Sequence, residues 1–287
     1  MALARLARGF LAGGASLAAT GSGAGSGSGA TAATGPGVMA VYTGLILQTK
    51  NPNELQGVMA HEVGHLAGGH AFRSGDGQRA GMVPMILTMG LGVLAAIAGS
   101  GEAAAGLISS APYFGALGYA GYSREQESRA DQAGATLMEK AGLSGRGLAE
   151  FLDNNVYQEV FAQYRRYKYF IDHPLSSDRV EALQNRVIAL PHYYVKDSPV
   201  ALSEHEIMKA KLDGFINPQV SLTKYSEKDM SYPARYARAI AYYQTKEPDK
   251  ALKRVDALLA EQPNNPYLYE LKGQILFEFG RANEAEA

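Results

Sequence analysis

The five residues HEVGH, 61–65, decide the fold of this chain. The ten residues before them, NPNELQGVMA, predict the start of a helix, because they supply an asparagine cap, a proline for the first turn and an early glutamate. His61 and His65 are four residues apart, so on that helix both imidazoles project from one side and can share a metal ion. Glu62 lies about 100° round the helix, where its carboxylate can accept a proton from a water on the metal. We therefore predict a zinc-dependent peptidase; two histidines placed on a helix by accident are the alternative.

The amino-acid composition limits which partners and which metal ligands this chain can have. The chain has 287 residues, enough for a catalytic domain and a smaller second unit. Charged residues make up 19% of it and the net charge is −1, so no polyanionic partner such as a nucleic acid is indicated. There is no cysteine, which excludes disulfides and cysteine-bound zinc. Histidine and carboxylate side chains must therefore hold the zinc ion.

The N-terminal residues 1–37 form a low-complexity segment. Arg5 and Arg8 precede an apolar stretch and resemble a weak export signal, to which a disordered tail is the alternative. Residues 21–37 are rich in Gly, Ser and Ala and predict flexibility. The next stretch, VMAVYTGLIL at 38–47, is apolar and β-branched and predicts a strand. This is either a plain core strand or an edge strand beside the metal, to which an extended peptide can add.

The third metal ligand is not supplied directly after the second histidine. A metzincin site needs a histidine six residues after His65, and His70 comes one residue early. On a continued helix His70 also lies about 140° from His65, which points it away from the metal. We therefore assign His70 a structural role or a role behind the ligands.

A predicted helix at residues 122–143 offers carboxylates for the missing position. Glu127 and Asp131 are four residues apart and face the same way. We predict that Glu127 binds the zinc ion and that Asp131 accepts the free N–H of a ligand histidine. Glu125 is the competing ligand, but it lies off that face. A solvated charged helix is the alternative, because arginines alternate with the acids.

Two uncharged stretches, 81–101 and 103–123, lie between the histidines and this helix and are separated only by Glu102. Each is long enough to span a bilayer, but both are rich in Ala and Gly and contain Pro84 or Pro112. Three interpretations stay open at this point: a hairpin buried in the protein, a contact with a membrane surface, and two membrane spans.

Together, HEVGH, SREQESRAD at 123–131 and HPLSSDR at 173–179 resemble the HtpX/BepA-type metallopeptidases, over about residues 35–185. Members of that family are zinc endopeptidases of membranes and of the bacterial envelope, where they serve protein quality control. The resemblance implies three zinc ligands, a catalytic acid/base, and a loop histidine that can approach and gate the metal. In this chain these residues are His61, His65 and Glu127, then Glu62, then His173.

Two further candidate site residues, His173 and Arg179, lie in the HPLSSDR motif. Pro174 holds His173 in an extended conformation, which predicts a loop position for it. This histidine is either a site residue or an ordinary loop residue. Arg179 opens the next predicted helix and either pairs with a carboxylate near the site or lies on the surface. One of the two would steady the oxyanion that forms during peptide hydrolysis.

The C-terminal part has the period of a tetratricopeptide repeat. Small and aromatic positions recur 34 residues later in the chain. The matching pairs are Ala239 with Gly273, Tyr242 with Leu276, and Ala251 with Ala285. The chain ends early in the second helix of the second unit, so we expect an array that is truncated or packed on the peptidase domain.

The predicted fold class is α+β. It comprises the segment 1–37, a mainly helical gluzincin-type peptidase domain with a small sheet at 38–198, and a helical repeat region at 199–287. The expected activity is hydrolysis of misfolded envelope or membrane proteins, with one zinc ion per chain, in the periplasm or at a membrane. Expected partners are protein substrates, a membrane surface and outer-membrane assembly machinery, with no nucleic acid. The alternative is a chaperone-like binding protein with a closed or structural zinc site.

Overall fold

The chain divides into two compact units, Met1–Lys196 and Asp197–Ala287. The computed structural model describes residues 32–35, 38–70, 74–161, 173 and 176–284. Arg5, Arg8 and the predicted export signal lie outside the described residues. The domain limits drawn from the sequence stay predictions.

The described part of the first unit holds two short strands and six helices. These are β1 (Ala32–Gly35), β2 (Val38–Val41), α1 (Thr43–Gln48), α2 (Pro52–Ala67), α3 (Ser74–Ile97), α4 (Gly101–Lys140), α5 (Arg146–Phe161) and α6 (Ser177–Ile188). The described part of the second unit consists of helices and their connections. Its helices are α7 (Pro199–Ile216), α8 (Pro218–Lys224), α9 (Tyr232–Gln244), α10 (Pro248–Glu261), α11 (Pro266–Glu278) and the 3-10 turn Ala282–Glu284. The prediction of a mainly helical chain with a helical C-terminal part is confirmed.

Strands β1 and β2 pair as an antiparallel hairpin in which Ala32 lies opposite Val41. β1 also lies against α2, although its residues belong to the segment predicted to be flexible. The predicted strand 38–47 is wrong beyond Val41, because Thr43–Gln48 is helical. A short apolar run fits a strand or a buried helix equally well, and here Leu45 and Ile46 of α1 are buried. The small sheet expected from the sequence stays a prediction.

Helix α2, which carries HEVGH, begins as the sequence predicts. The side chain of Asn51 accepts a hydrogen bond from the Glu54 N–H at 2.8 Å, and Pro52 is the first helical residue. Asn53 takes part in a different contact: its side-chain oxygen accepts the N–H of Gly147 at 2.7 Å. This bond ties the start of α2 to the start of α5.

Helices α2 and α4 pack closely because glycines lie at their contact. A Cβ atom on Gly64 would lie 2.9 Å from the carbonyl oxygen of Ala130. A Cβ atom on Gly134 would lie 3.1 Å from the backbone nitrogen of His61. Larger side chains at these positions would force the helices apart. The close approach therefore brings one face of α4 directly onto the HEVGH motif.

Helices α3 and α4 pack along each other as a hairpin and contain the uncharged stretches 81–101 and 103–123. α4 is longer than predicted, because it continues unbroken through Pro112 into the segment that carries the acidic residues. The interpretation of a buried hairpin is wrong for the described residues. Leu87 and Leu94, for example, are 63% and 61% exposed.

The second unit has its own apolar core, formed mainly by α9, α10 and α11. Three of the predicted repeat positions are buried in this core, namely Ala239, Ala251 and Leu276. Ala285 lies outside the described residues. Helix pairs that bury small and apolar residues in this way are the structural unit of tetratricopeptide arrays.

Candidate metal centre

Four side chains with metal-binding atoms meet at one buried point. They are His61 and His65 on α2, Glu127 on α4, and His173 just before α6. One ligand atom from each lies within 4.8 Å of all the others. Three segments that are far apart in the sequence supply these residues. The packing of α2 against α4 therefore assembles the site.

The distances within this cluster fit a metal ion. His61 Nε2 lies 3.0 Å from His65 Nε2, and the oxygens of Glu127 lie 3.4 Å from the former and 3.2 Å from the latter. Ligand atoms bound at about 2.0–2.1 Å to a tetrahedral zinc ion lie about 3.3 Å from one another. Two imidazole nitrogens this close need a proton or a cation between them, because their lone pairs repel. Two imidazoles and a carboxylate are also a donor set that divalent metals favour.

Asp131 and Arg179 lie next to the cluster and form hydrogen bonds and ion pairs with its residues. The Nδ1–H of His61 donates to Asp131 Oδ1 at 2.9 Å, which leaves His61 Nε2 turned towards the other residues of the cluster. The guanidinium of Arg179 donates two bonds to the same carboxylate, at 2.9 Å and 3.0 Å. It also lies 3.3 Å from Glu127 Oε2. Arg179 therefore links the two carboxylates and is buried with them.

His70 contacts the opposite side of His65, with its Nδ1 2.7 Å from Nδ1 of that ring. Helix α2 ends at Ala67, so the angle expected for His70 on a continued helix does not apply. Its ring lies over Gly68, where a Cβ atom would clash with it. The two glycines before His70 are the sequence signal for this arrangement, because they allow the chain to turn back on the helix.

Glu62 lies beside the cluster. Its side chain is fully buried, and among the described residues neither carboxylate oxygen has a hydrogen-bond partner. The Nε2 atom of His173 is 3.5 Å from Glu62 Oε1, beyond good hydrogen-bond geometry. Burying a carboxylate without a hydrogen-bond partner is costly, and a catalytic role is one of the reasons for which native proteins keep such a group.

The two glutamates of the site have pKa values shifted in opposite directions. Burial raises the pKa of Glu62, and the charge of Glu127 adds to this effect. Burial would also raise the pKa of Glu127, but hydrogen bonds from the three histidines of the cluster outweigh it and hold that pKa well below its usual range. At neutral pH the Glu127 carboxylate is therefore ionised, whereas Glu62 binds a proton more readily than an exposed glutamate does.

The two histidines of α2 also differ. Burial lowers the pKa of His61, but hydrogen bonds to Asp131 and Glu127 outweigh it and raise this pKa to about 9. For His65 burial prevails, and its pKa falls to about 4. In the metal-free chain the cluster thus favours one positive charge between these groups, which a bound cation would also supply.

The structure brings all the predicted site residues together at this point. They are Glu62, His173 and Arg179, the candidate ligands His61, His65 and Glu127, and Asp131. The competing ligand Glu125 lies on the surface, where it is 58% exposed and pairs with Arg129 at 2.6 Å. The roles assigned to these residues stay predictions.

Comparison with known proteins identifies the family. The sequence pattern described as Peptidase family M48 matches residues 28–187, which is more than half of the chain. The chain belongs to peptidase family M48. The resemblance drawn from the three sequence motifs is confirmed by this match. A second pattern, described as a tetratricopeptide repeat, matches residues 223–275 and confirms the predicted repeat.

Curated relatives of this M48 chain are named as proteases. It is 26% identical over 243 residues to the putative beta-barrel assembly-enhancing protease of Vibrio cholerae, covering 80% of this chain and 48% of that protein. It is 23% identical over 257 residues to the beta-barrel assembly-enhancing protease of Escherichia coli K12, covering 87% and 52%. It is 31% identical over 161 residues to the metalloprotease LoiP of the same organism, covering 55% and 58%. The chain spans about half the length of the curated relatives it matches.

Proposed function

We propose that this chain is a zinc-dependent metalloendopeptidase. The observation that carries the proposal is Glu62, a buried carboxylate without a hydrogen-bond partner among the described residues, beside a cluster of three histidines and a glutamate. A structural zinc site has four protein ligands and no use for a base beside them. A hydrolytic site needs such a base.

The proposed mechanism assigns each group one task. His61, His65 and Glu127 hold one zinc ion, which when bound polarises a carbonyl and makes water more acidic. Glu62 accepts a proton from the attacking water and passes it to the leaving amine. Its raised pKa suits both steps near neutral pH.

Three roles for Arg179 were open on the sequence: pairing with a carboxylate near the site, steadying the oxyanion in place of His173, or a position on the surface. Because its guanidinium binds Asp131 and lies against Glu127, we assign it a positioning role for the ligands. It acts on His61 through Asp131, without touching the substrate.

The proposed substrates are misfolded polypeptides of the bacterial envelope or of a membrane. Two of the relatives above are named for the assembly of beta-barrels, a fold that can span the bacterial outer membrane, and this supports a periplasmic or membrane-associated location. The helical repeat unit offers a surface that can hold substrates or outer-membrane assembly machinery.

Removal of the metal tests the proposed function. We expect the purified full chain to hydrolyse casein, and a chelator to lower the rate at least about 100-fold, because the metal contributes several kcal/mol to transition-state stabilisation. Added zinc should restore the rate. Hydrolysis that is unchanged after the chelator has removed all metal would rule out a metallopeptidase.

A chaperone-like binding protein is the second candidate, and the position of His173 favours it. Its Nδ1 atom lies 3.0 Å and 3.1 Å from the oxygens of Glu127 and 3.5 Å from His61 Nε2. It therefore occupies the fourth corner of the cluster, where a catalytic zinc ion must admit water or substrate. If the site never opens, the chain binds clients without hydrolysing them, and casein stays intact with zinc bound.

We propose instead that His173 gates the site, so His173→Ala should raise basal proteolysis. A gain of about tenfold corresponds to a gate that is closed by about 1.4 kcal/mol. The measurement is casein hydrolysis at equal zinc content. His192→Ala is the matched control, because this half-exposed histidine binds Glu139 at 2.5 Å and does not contribute to the cluster. A fall of about 100-fold in the His173 variant would show that this residue stabilises charge in the transition state.

A further inference from the structure

The α3–α4 hairpin has two arms of bilayer length. Residues 80–97 and 103–123 contain no charged side chain. At 1.5 Å per residue these arms are about 27 Å and about 31 Å long, close to the roughly 30 Å hydrocarbon layer of a membrane. Among the helices of the described residues, α3 is long and apolar enough to cross a membrane, over Gly75–Ile97.

The hairpin is packed in the reverse of the way a soluble core is packed. Its buried positions are small or polar, for example Thr88, Ala104 and Ala111. Its large apolar side chains face outward. The most exposed of these are Met82, Val83, Ile86, Leu87, Leu91, Val93, Leu94, Ile97, Tyr113 and Tyr119. Only 11% of the apolar window of α3 is buried, so this helix is not the core helix of a soluble domain.

The two arms meet through small residues. A Cβ atom on Gly81 would lie 2.9 Å from the carbonyl oxygen of Gly115, and one on Gly92 would lie 2.7 Å from the side chain of Ile108. Glycine at a helix contact lets backbones approach closely, and this replaces the hydrophobic effect as the source of helix association in lipid. The two arms thus pack against each other through small residues, and their large apolar side chains remain exposed.

The exposed apolar side chains of α3 point in several directions, so whatever covers them must surround the helix. Three consecutive exposed residues, 85–87, point in directions about 100° apart round α3. A protein partner or a second copy would cover one face of such a helix, whereas lipid covers all of them. Charged residues return only at the ends, with Arg79 and Arg124 at the base and Glu102 at the tip. Tyr119, half exposed, lies near the base, where aromatic rings favour the membrane interface.

We propose that the α3–α4 hairpin inserts into a lipid bilayer, with residues 80–97 and 103–123 in the hydrocarbon layer and the metal centre just outside it. Glu127 lies four residues beyond Ser123 on the same helix, about 6 Å along its axis. This proposal rests on the exposure and packing of the hairpin and does not depend on the proposed peptidase activity.

Tryptophan fluorescence tests this proposal directly, because the chain has no natural tryptophan. Leu94→Trp places a probe on the outer face of α3, and Val200→Trp places one at a similarly exposed site of the second unit, 61% and 65% exposed in the parent chain. With vesicles of phosphatidylethanolamine and phosphatidylglycerol, the Leu94→Trp emission should shift to shorter wavelength and be quenched by acyl-brominated lipid. The Val200→Trp emission should not change.

A charge substitution gives the second readout. In the full chain, Leu87→Lys with Leu94→Lys should lower the fraction that floats with vesicles at least tenfold, because one lysine at the bilayer centre costs on the order of 100-fold in partitioning. Val200→Lys with Val220→Lys is the control and should float like the parent chain. Equal flotation of the two double variants would overturn the proposal. So would a Leu94→Trp shift that follows protein concentration without vesicles, since a second copy would then be the occupant.

Discussion

Glu62→Gln is expected to leave zinc bound and to lower casein hydrolysis by about 10³-fold or more. The carboxylate stands beside the ligand cluster and has no hydrogen-bond partner among the described residues, so its amide replacement removes a base without removing a ligand. General acid–base catalysis contributes about 10²–10⁴-fold, and here one residue serves both proton transfers. The measurement is the hydrolysis rate together with zinc content per chain.

The matched control for this variant is Glu125→Gln, which makes the same chemical change at an exposed carboxylate. It should retain the parent rate and the parent zinc content. Unchanged turnover in Glu62→Gln at full zinc occupancy would refute the role of Glu62. Loss of zinc in that variant would instead make Glu62 a ligand and would require a different reading of the cluster.

Glu127→Ala is expected to lower zinc affinity by at least about 100-fold, and to abolish hydrolysis at limiting zinc as a consequence. Glu127 is buried, lies 3.2–3.4 Å from the Nε2 atoms of both α2 histidines, and is the only carboxylate in the four-residue cluster. Its low pKa keeps it ionised throughout the neutral range. Zinc titration monitored by a competing chelator measures this effect separately from activity.

Glu125→Ala again provides the control, since it lies two residues away on α4 and pairs with Arg129 on the surface. It should bind zinc as the parent chain does. If the Glu125 variant lost the metal while the Glu127 variant kept it, α4 would present a different face to the HEVGH helix. Circular dichroism of both variants verifies that the helices remain folded.

Much of the site could be predicted because its parts are local patterns. The four-residue spacing of His61 and His65 is set by the helical period, and the same period placed Glu127 and Asp131 on one face. The asparagine and proline before HEVGH are start signals that act within one turn. The 34-residue recurrence in the C-terminal part is likewise legible without any knowledge of packing.

Other elements could not be predicted, because they depend on competition between local preference and tertiary contacts. The run at 38–47 has strand composition, but burial of its second half favours a helix there. His70 was placed by extending the helix, whereas α2 ends at Ala67 and the glycines turn the chain back onto His65. The length of α4 was also missed, because the uncharged stretch 103–123 and the acidic helix at 122–143 were treated as separate segments.

The sequence by itself determined which residue types can bind a metal and how they are spaced on their own helices, since backbone geometry fixes those distances within a few turns. Only the tertiary structure decided that Glu127, His173 and Arg179 meet the histidines of α2, because that meeting depends on how closely separate segments pack. Gly64 and Gly134 permit the close approach of α2 and α4, and no local sequence pattern indicates that approach. The same holds for the hairpin: its apolar composition was evident from the sequence, but only the packed chain shows that the large side chains face outward while small ones join the two arms.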